Sequence, residues 1–85
     1  MSPRPDAGRD ERTLDALDPG ESGVIARVDG DPAIARRLME LGLVPGTSVA
    51  VVRRAPLGDP IELSVGGLHL SLRRTEASHI HVASR

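Results

Sequence analysis

The sequence predicts a small, mainly β protein, a partly open barrel of about five strands with one short helix after the first strand. Three observations predict this fold class. Stretches of alternating apolar and polar residues recur along the chain, glycine and proline residues separate them, and only one segment has helical periodicity. With 85 residues, the chain has room for a single core. We therefore expect one domain of short strands joined by tight turns.

The N-terminal segment is predicted to be a tail. Residues 1–12 are rich in proline and charged side chains and offer little apolar surface to offset the entropy of ordering them. Leu14 and Leu17 are the first apolar anchors, and Pro19-Gly20 then forces a turn. We therefore divide the chain into a disordered tail, residues 1–12, and a folded domain, residues 13–85.

The first strand is predicted over residues 23–29. A period of two places Val24 and Val28 on one face, together with Ala26, and Ile25 on the other face. This alternation is typical of a half-buried strand.

A short helix is predicted next, over residues 32–41. Asp31 followed by proline is typical of a helix start, and Gly42 is typical of a helix end. At 3.6 residues per turn, one helix face collects the side chains expected to pack on the sheet: Ile34, Leu38 and Leu41.

The remaining strands follow the helix. Residues 47–53 are apolar on both faces, which predicts a central strand that is covered on both sides and carries the helix on one of them. Residues 61–65 and 68–72 alternate strictly, and Gly66-Gly67 between them predicts a two-residue hairpin. After a turn-like segment, residues 80–82 form the last predicted strand.

Composition excludes several classes of function. The chain has no cysteine, so disulfides, thiolate metal sites and thiol nucleophiles are absent. A net charge of -1 and the lack of aromatic residues argue against nucleic-acid binding and against docking of proline-rich peptides. There is no phosphate-binding GxxxxGK[ST] motif and no nucleophile motif, so we predict no enzyme activity.

The hydropathy of the chain and its N-terminal segment bear on its location. No apolar run approaches the roughly 20 residues that a membrane helix needs, so we predict no direct membrane insertion. The N-terminus lacks the apolar middle region of a secretory signal, and the cytoplasm is therefore the expected compartment.

The end of the helix is the first candidate site. Met39 flanks the buried stripe, and Leu43 and Val44 fall in the turn after the helix, so an apolar patch there could bind a partner. The alternative is that these side chains only cap the barrel. The candidate partner-binding set is Leu38, Met39, Leu41, Leu43 and Val44.

The three histidines suggest a second, weaker candidate, a divalent metal site. His79 and His81 share one face of the last strand, and strand pairing could bring His69 close to them, with Glu76 as the nearby carboxylate. The alternative is that these are ordinary solvent-facing residues. A weakly bound divalent ion such as Fe²⁺ is the only cofactor that this pattern suggests.

Three segments carry a resemblance to a known family. They are RLMELGLVPG at residues 37–46, APLGDPI at 55–61, and LSLR at 70–73 followed by Glu76-Ala77. Together with the order of the predicted elements, they resemble the FeoA family over about residues 14–82. The resemblance implies an SH3-like barrel and a cytoplasmic accessory protein of bacterial ferrous iron uptake. Such a protein binds the membrane GTPase transporter FeoB, modulates it, and is peripheral to the inner membrane through that partner.

Other interpretations stay open at this stage. The SH3-like C-terminal domain of iron- or manganese-responsive repressors is similar to FeoA, although it follows a winged helix, whereas this sequence starts with Met1 about 12 residues before the predicted domain. A general protein-interaction module is a further alternative. Self-association through an uncovered barrel edge is also left open. Four arginines could assist GTP hydrolysis by the transporter in trans, but solvation of the surface is the favoured role for them: Arg36, Arg37, Arg53 and Arg54.

Overall fold

The fold is an open antiparallel sheet with two short helices, seen in a computed structural model that describes residues 11–84. The described strands run in the order β1-β6-β2-β3-β4-β5, so the sheet does not close. The strands are β1 (Glu11–Thr13), β2 (Ser22–Val28), β3 (Ser48–Arg54), β4 (Ile61–Val65), β5 (Leu68–Leu72) and β6 (Ile80–Ala83), and the α-helices are α1 (Pro32–Glu40) and α2 (Arg74–Ala77). The mainly β, partly open class is confirmed, with six strands instead of about five.

The additional strand is β1, which begins two residues inside the predicted tail. It pairs antiparallel with β6, Glu11 opposite Ala83 and Thr13 opposite His81. Three residues are too few to show an alternating pattern, so this strand depends on a partner far along the chain and leaves no local signal. The rest of the predicted tail, residues 1–10, lies outside the described residues.

A bulge in β2 changes the predicted faces of the first long strand. The register with β6 shifts between Ile25 and Arg27, which makes Ala26 an extra residue. Consequently Ile25 is buried, whereas Ala26 and the next residue are both exposed. The strict alternation expected from the sequence ends at this bulge.

A second bulge affects β3. Its register with β4 shifts between Val51 and Arg53, and the extra residue, Val52, is exposed. The expectation of a strand covered on both sides is therefore wrong: Val49 and Val51 face the core, and the outer face is only partly covered. Helix α1 packs beside β2.

The β4–β5 hairpin follows the prediction. Ile61, Leu63 and Val65 are buried, and Val65 pairs with Leu68 across the Gly66-Gly67 turn. Both glycines have positive φ, +56° and +88°, as a type I′ turn requires.

One core fills the space between the sheet, α1, α2 and the 3₁₀ turn Leu14–Ala16. Where β2 passes β6, Gly23 is needed, since a Cβ there would lie 2.4 Å from the carbonyl oxygen of Ala83. Along residues 11–84, no helix is long and apolar enough to cross a membrane. The buried apolar residues are Leu14, Leu17, Ile25, Leu38, Leu43, Val49, Val51, Ile61, Leu63, Val65, Leu72, Ala77, Ile80 and Val82.

Candidate functional site

The C-terminal end of α1 is shaped by local hydrogen bonds. The Asp31 side chain caps the start of the helix by accepting from the backbone N–H of Ile34 at 3.0 Å. At the other end Gly42 has φ +101°, and the backbone N–H of Leu43 donates to the carbonyl of Leu38 at 3.3 Å. The chain therefore reverses at Gly42 and directs Leu43 back under the helix.

This reversal divides the five predicted partner-binding residues into two groups. Leu38 and Leu43 are completely buried core residues, which contradicts a surface role for them. Met39, Leu41 and Val44 are 38%, 42% and 37% exposed. Leu43 takes the core position expected of Leu41, because the left-handed glycine turns the chain inward after Leu41 has ended the helix. We call Met39, Leu41 and Val44 the helix-end surface.

The arginines considered for a role in trans are mostly engaged within the domain. Arg54 is half-buried and donates to the carbonyl oxygens of Asp15 and Leu17, each at 2.6 Å. Arg53 pairs with Glu62 at 3.0 Å and lowers the pKa of that carboxyl, while Arg37 pairs with Glu76. These contacts favour structural roles for three of the four arginines.

The histidines of β6 meet a residue that sequence reasoning did not single out. One Asp29 oxygen lies 3.0 Å from His79 Nδ1, and the other lies 2.6 Å from His81 Nε2. Because a carboxylate only accepts hydrogen bonds, the ring nitrogen that faces it donates in each case. The hydrogen bonds from His81 and His79 lower the pKa of Asp29 below its usual value. We call Asp29, His79 and His81 the carboxylate clasp.

The structure does not gather the predicted metal set into one site. His69 lies on the edge strand β5 opposite Ser64, and three strands separate β5 from β6. The Glu76 carboxylate accepts from the backbone N–H of Arg73 at 2.9 Å and pairs with Arg37, and these contacts lower its pKa. Within residues 11–84, no three His, Cys, Asp or Glu side chains are arranged to hold a metal ion. His79 and His81 therefore come together around Asp29, without His69 or Glu76.

The loop between β3 and β4 presents a second residue that the sequence did not identify. Leu57 is 98% exposed and has φ +76°, inside the 3₁₀ turn Pro56–Gly58. The neighbouring proline and glycine are typical of a turn. No pattern indicated that Leu57 would take the left-handed conformation in addition to Gly58, the glycine that follows it.

The strand order, the short α2 helix before the last strand and the single small core define the class of this protein: it is a small SH3-like domain. The chain belongs to the FeoA family, whose domain model matches residues 12–84.

Two relatives connect this domain with ferrous iron transport. The chain is 39% identical over 69 residues to a fusion of Fe²⁺ transport protein A with the Fe²⁺ transporter FeoB in Porphyromonas gingivalis. That match covers 81% of this chain and only 8% of the fusion protein. A FeoA of Stenotrophomonas maltophilia, an SH3 domain protein solved in complex with zinc, is 38% identical, with a TM-score of 0.70 over 81% of this chain and 86% of that one.

The fold also occurs in a regulator. A manganese-dependent transcriptional repressor is 25% identical and has a TM-score of 0.80 over 88% of this chain and 42% of the repressor chain. The same SH3-like domain is therefore used in proteins of different activity.

Proposed function

We propose that this protein is an accessory component of ferrous iron uptake that binds a FeoB transporter at its cytoplasmic side and modulates it. The observation that carries the proposal is the fusion relative, in which a FeoA domain and FeoB share one polypeptide. Joining two domains in one chain raises their effective concentration, an arrangement well suited to domains that act together.

The helix-end surface is the contact that we propose for the transporter. Its three apolar side chains are exposed on a helix end whose backbone is fixed by the Gly42 turn, so a partner would meet a preformed surface. Preformed apolar groups bind with a smaller loss of conformational entropy than mobile ones. Met39 adds an unbranched, polarisable side chain that adapts to a partner's shape.

Modulation is proposed to act through this contact rather than through chemistry on the chain itself. Four arginines were considered for assisting GTP hydrolysis by the transporter in trans. Three of them are held by Glu76, Glu62 and backbone carbonyls, which supports structural roles for these three. We expect no enzyme activity from this chain alone and no nucleic-acid partner, and we expect its membrane association to depend on the transporter.

The test is a binding titration of the tagged protein against a purified FeoB transporter in lipid nanodiscs. Met39→Asp is expected to weaken binding at least about tenfold, because an aspartate cannot enter an apolar interface without losing its hydration. Val52→Asp is the matched control, since Val52 is an exposed apolar residue on β3, outside the helix-end surface. Far-UV circular dichroism melts establish that both variants are folded.

Two results would contradict the proposal. Absence of binding by the native chain would show that the transporter is not its partner. Equal binding by Met39→Asp and the native chain would show that the helix-end surface is not the contact. Modulation is measured separately as the GTP hydrolysis rate of the transporter with and without the bound chain. An unchanged rate at saturation would leave a binding protein without a modulating role.

A second candidate is a domain of a metal-responsive repressor, which the structural match to the manganese-dependent repressor favours. The two candidates differ in gene organisation. A winged-helix segment encoded upstream in the same reading frame would support the repressor domain. A FeoB gene beside a separate reading frame for this chain would support the accessory role.

A further inference from the structure

The tip of the β3–β4 loop combines strain with complete exposure. Leu57 is the only non-glycine residue between 11 and 84 with positive φ, and it is 98% exposed. A left-handed conformation is unfavourable for a residue with a Cβ, and glycine would adopt it without that cost. The buried surface of Leu57 is too small to offset the strain within the domain.

The surrounding loop holds this conformation in place. The backbone N–H of Ala55 donates to the carbonyl of Pro60 at 3.0 Å, and that of Gly58 donates to Ala55 at 2.8 Å. The Asp59 carboxylate accepts from the backbone N–H of Arg74 at 2.9 Å, which ties the loop to the start of α2. Strained residues persist where the surrounding contacts determine the conformation, and such residues concentrate at functional sites.

We propose that Leu57 is a docking residue that inserts into an apolar pocket with an acidic rim on a protein partner. A rigid loop that presents one leucine gives a partner a side chain whose backbone is already ordered. The inference rests on the proposed function, and the partner that we assign to the loop is the same transporter.

The acidic rim follows from the charges beside the leucine. The guanidinium of Arg74 lies near the loop, since a Cβ added to Gly58 would be 4.0 Å from its Nη1. Asp59, the acid of the loop, accepts from the backbone N–H of Arg74, and among the described residues its carboxylate forms no ion pair with the Arg74 guanidinium. A carboxylate at the edge of the partner's pocket would therefore complement the cation that accompanies Leu57.

A protein pocket fits this geometry better than a lipid surface. A single apolar side chain falls short of stable membrane anchorage, which takes two independent signals. In protein interfaces, by contrast, a few anchors that fill pockets dominate the affinity. One leucine on an ordered loop is therefore better suited to a protein pocket than to a lipid surface.

The experiment uses three Leu57 variants in the nanodisc titration. Leu57→Gly removes the side chain and relieves the strain, so its melting temperature should equal or exceed that of the native chain. We expect Leu57→Gly and Leu57→Asp to weaken transporter binding at least about tenfold, and Leu57→Met to stay within about threefold of the native chain. Leu68→Asp, at an exposed leucine of the β4–β5 hairpin, is the matched control and should bind as the native chain does.

The outcomes separate this inference from the proposed function. Tight binding by the native chain and by Leu57→Gly alike would overturn the docking role of Leu57 and leave the transporter as partner. No binding by the native chain would overturn the proposed function and, with it, the partner assigned to the loop. If the native chain co-sediments with vesicles of phosphatidylglycerol and phosphatidylcholine and Leu57→Asp does not, Leu57 binds a membrane and the protein pocket is refuted. If the native chain self-associates and Leu57→Asp does not, Leu57 binds a second copy of this chain and the pocket on the transporter is refuted.

Discussion

Leu38 of α1 and Leu41, the residue that ends this helix, are expected to differ sharply in their contribution to stability. The helical period places Leu38 and Leu41 on the same face, whereas the structure buries Leu38 completely and leaves Leu41 42% exposed. The perturbation is Leu→Ala at each position. Alanine preserves the helix propensity, so the difference between the variants reports packing.

The magnitudes follow from this burial. Leu38→Ala removes a fully enclosed side chain and leaves a cavity, which lowers the free energy of unfolding by about 2–5 kcal/mol. Leu41→Ala loses only part of the transfer free energy and opens its site to water, so we expect roughly 1 kcal/mol. At about 4–8 °C per kcal/mol for a domain of this size, Leu38→Ala should melt at least about 8 °C below the native chain.

The assay is urea unfolding followed by far-UV circular dichroism, since the chain has no tryptophan or tyrosine to report by fluorescence. Equal slopes of free energy against urea would show that the two variants expose similar surface on unfolding. Equal losses of stability for Leu38→Ala and Leu41→Ala would refute the reasoning, because they would mean that Leu41 packs in the core as the sequence period alone predicts.

The remaining predictions concern the carboxylate clasp and its separation from His69. Because its histidine contacts lower the pKa of Asp29 on folding, its carboxylate stabilises the fold above the unfolded value of about 3.9, and this contribution is lost as pH falls through the lower folded value. The melting-temperature difference between the native chain and Asp29→Asn should therefore be largest above about pH 5 and should shrink in more acidic buffer; a constant difference would contradict this. In calorimetric titrations with Zn²⁺ or Fe²⁺, His69→Ala is expected to behave as the native chain does, since three strands separate β5 from β6, and a signal lost in His69→Ala would contradict that separation.

Features that depend on neighbouring residues could be predicted from the sequence. The hairpin follows from Gly66-Gly67, whose two positive φ values need no information from elsewhere in the chain. The start of α1 follows from the Asp31 cap, which acts within its own turn. The family followed from three local motifs, and its domain model matches residues 12–84.

Features that depend on distant pairing could not be predicted. The bulges at Ala26 and Val52 exist only because β2 pairs with β6 and β3 with β4, and they decide which residues are exposed. The exchange of Leu41 for Leu43 in the core depends on the direction that the chain takes after Gly42. Asp29 likewise meets the histidines only through the contact between β2 and β6, so its sequence position indicated no more than the end of a strand.

The pairing of β1 with β6 brings the two ends of the described domain together. Glu11 stands opposite Ala83, and Cα atoms of paired antiparallel residues are about 4.5–5.5 Å apart. A domain with adjoining ends can be grafted into a loop of a host protein, or circularly permuted, with little distortion of either. A second domain joined to either end of this one would also be attached at the same edge of the sheet. Gene fusion in either order would then attach the host at the same end of the β1–β6 pair.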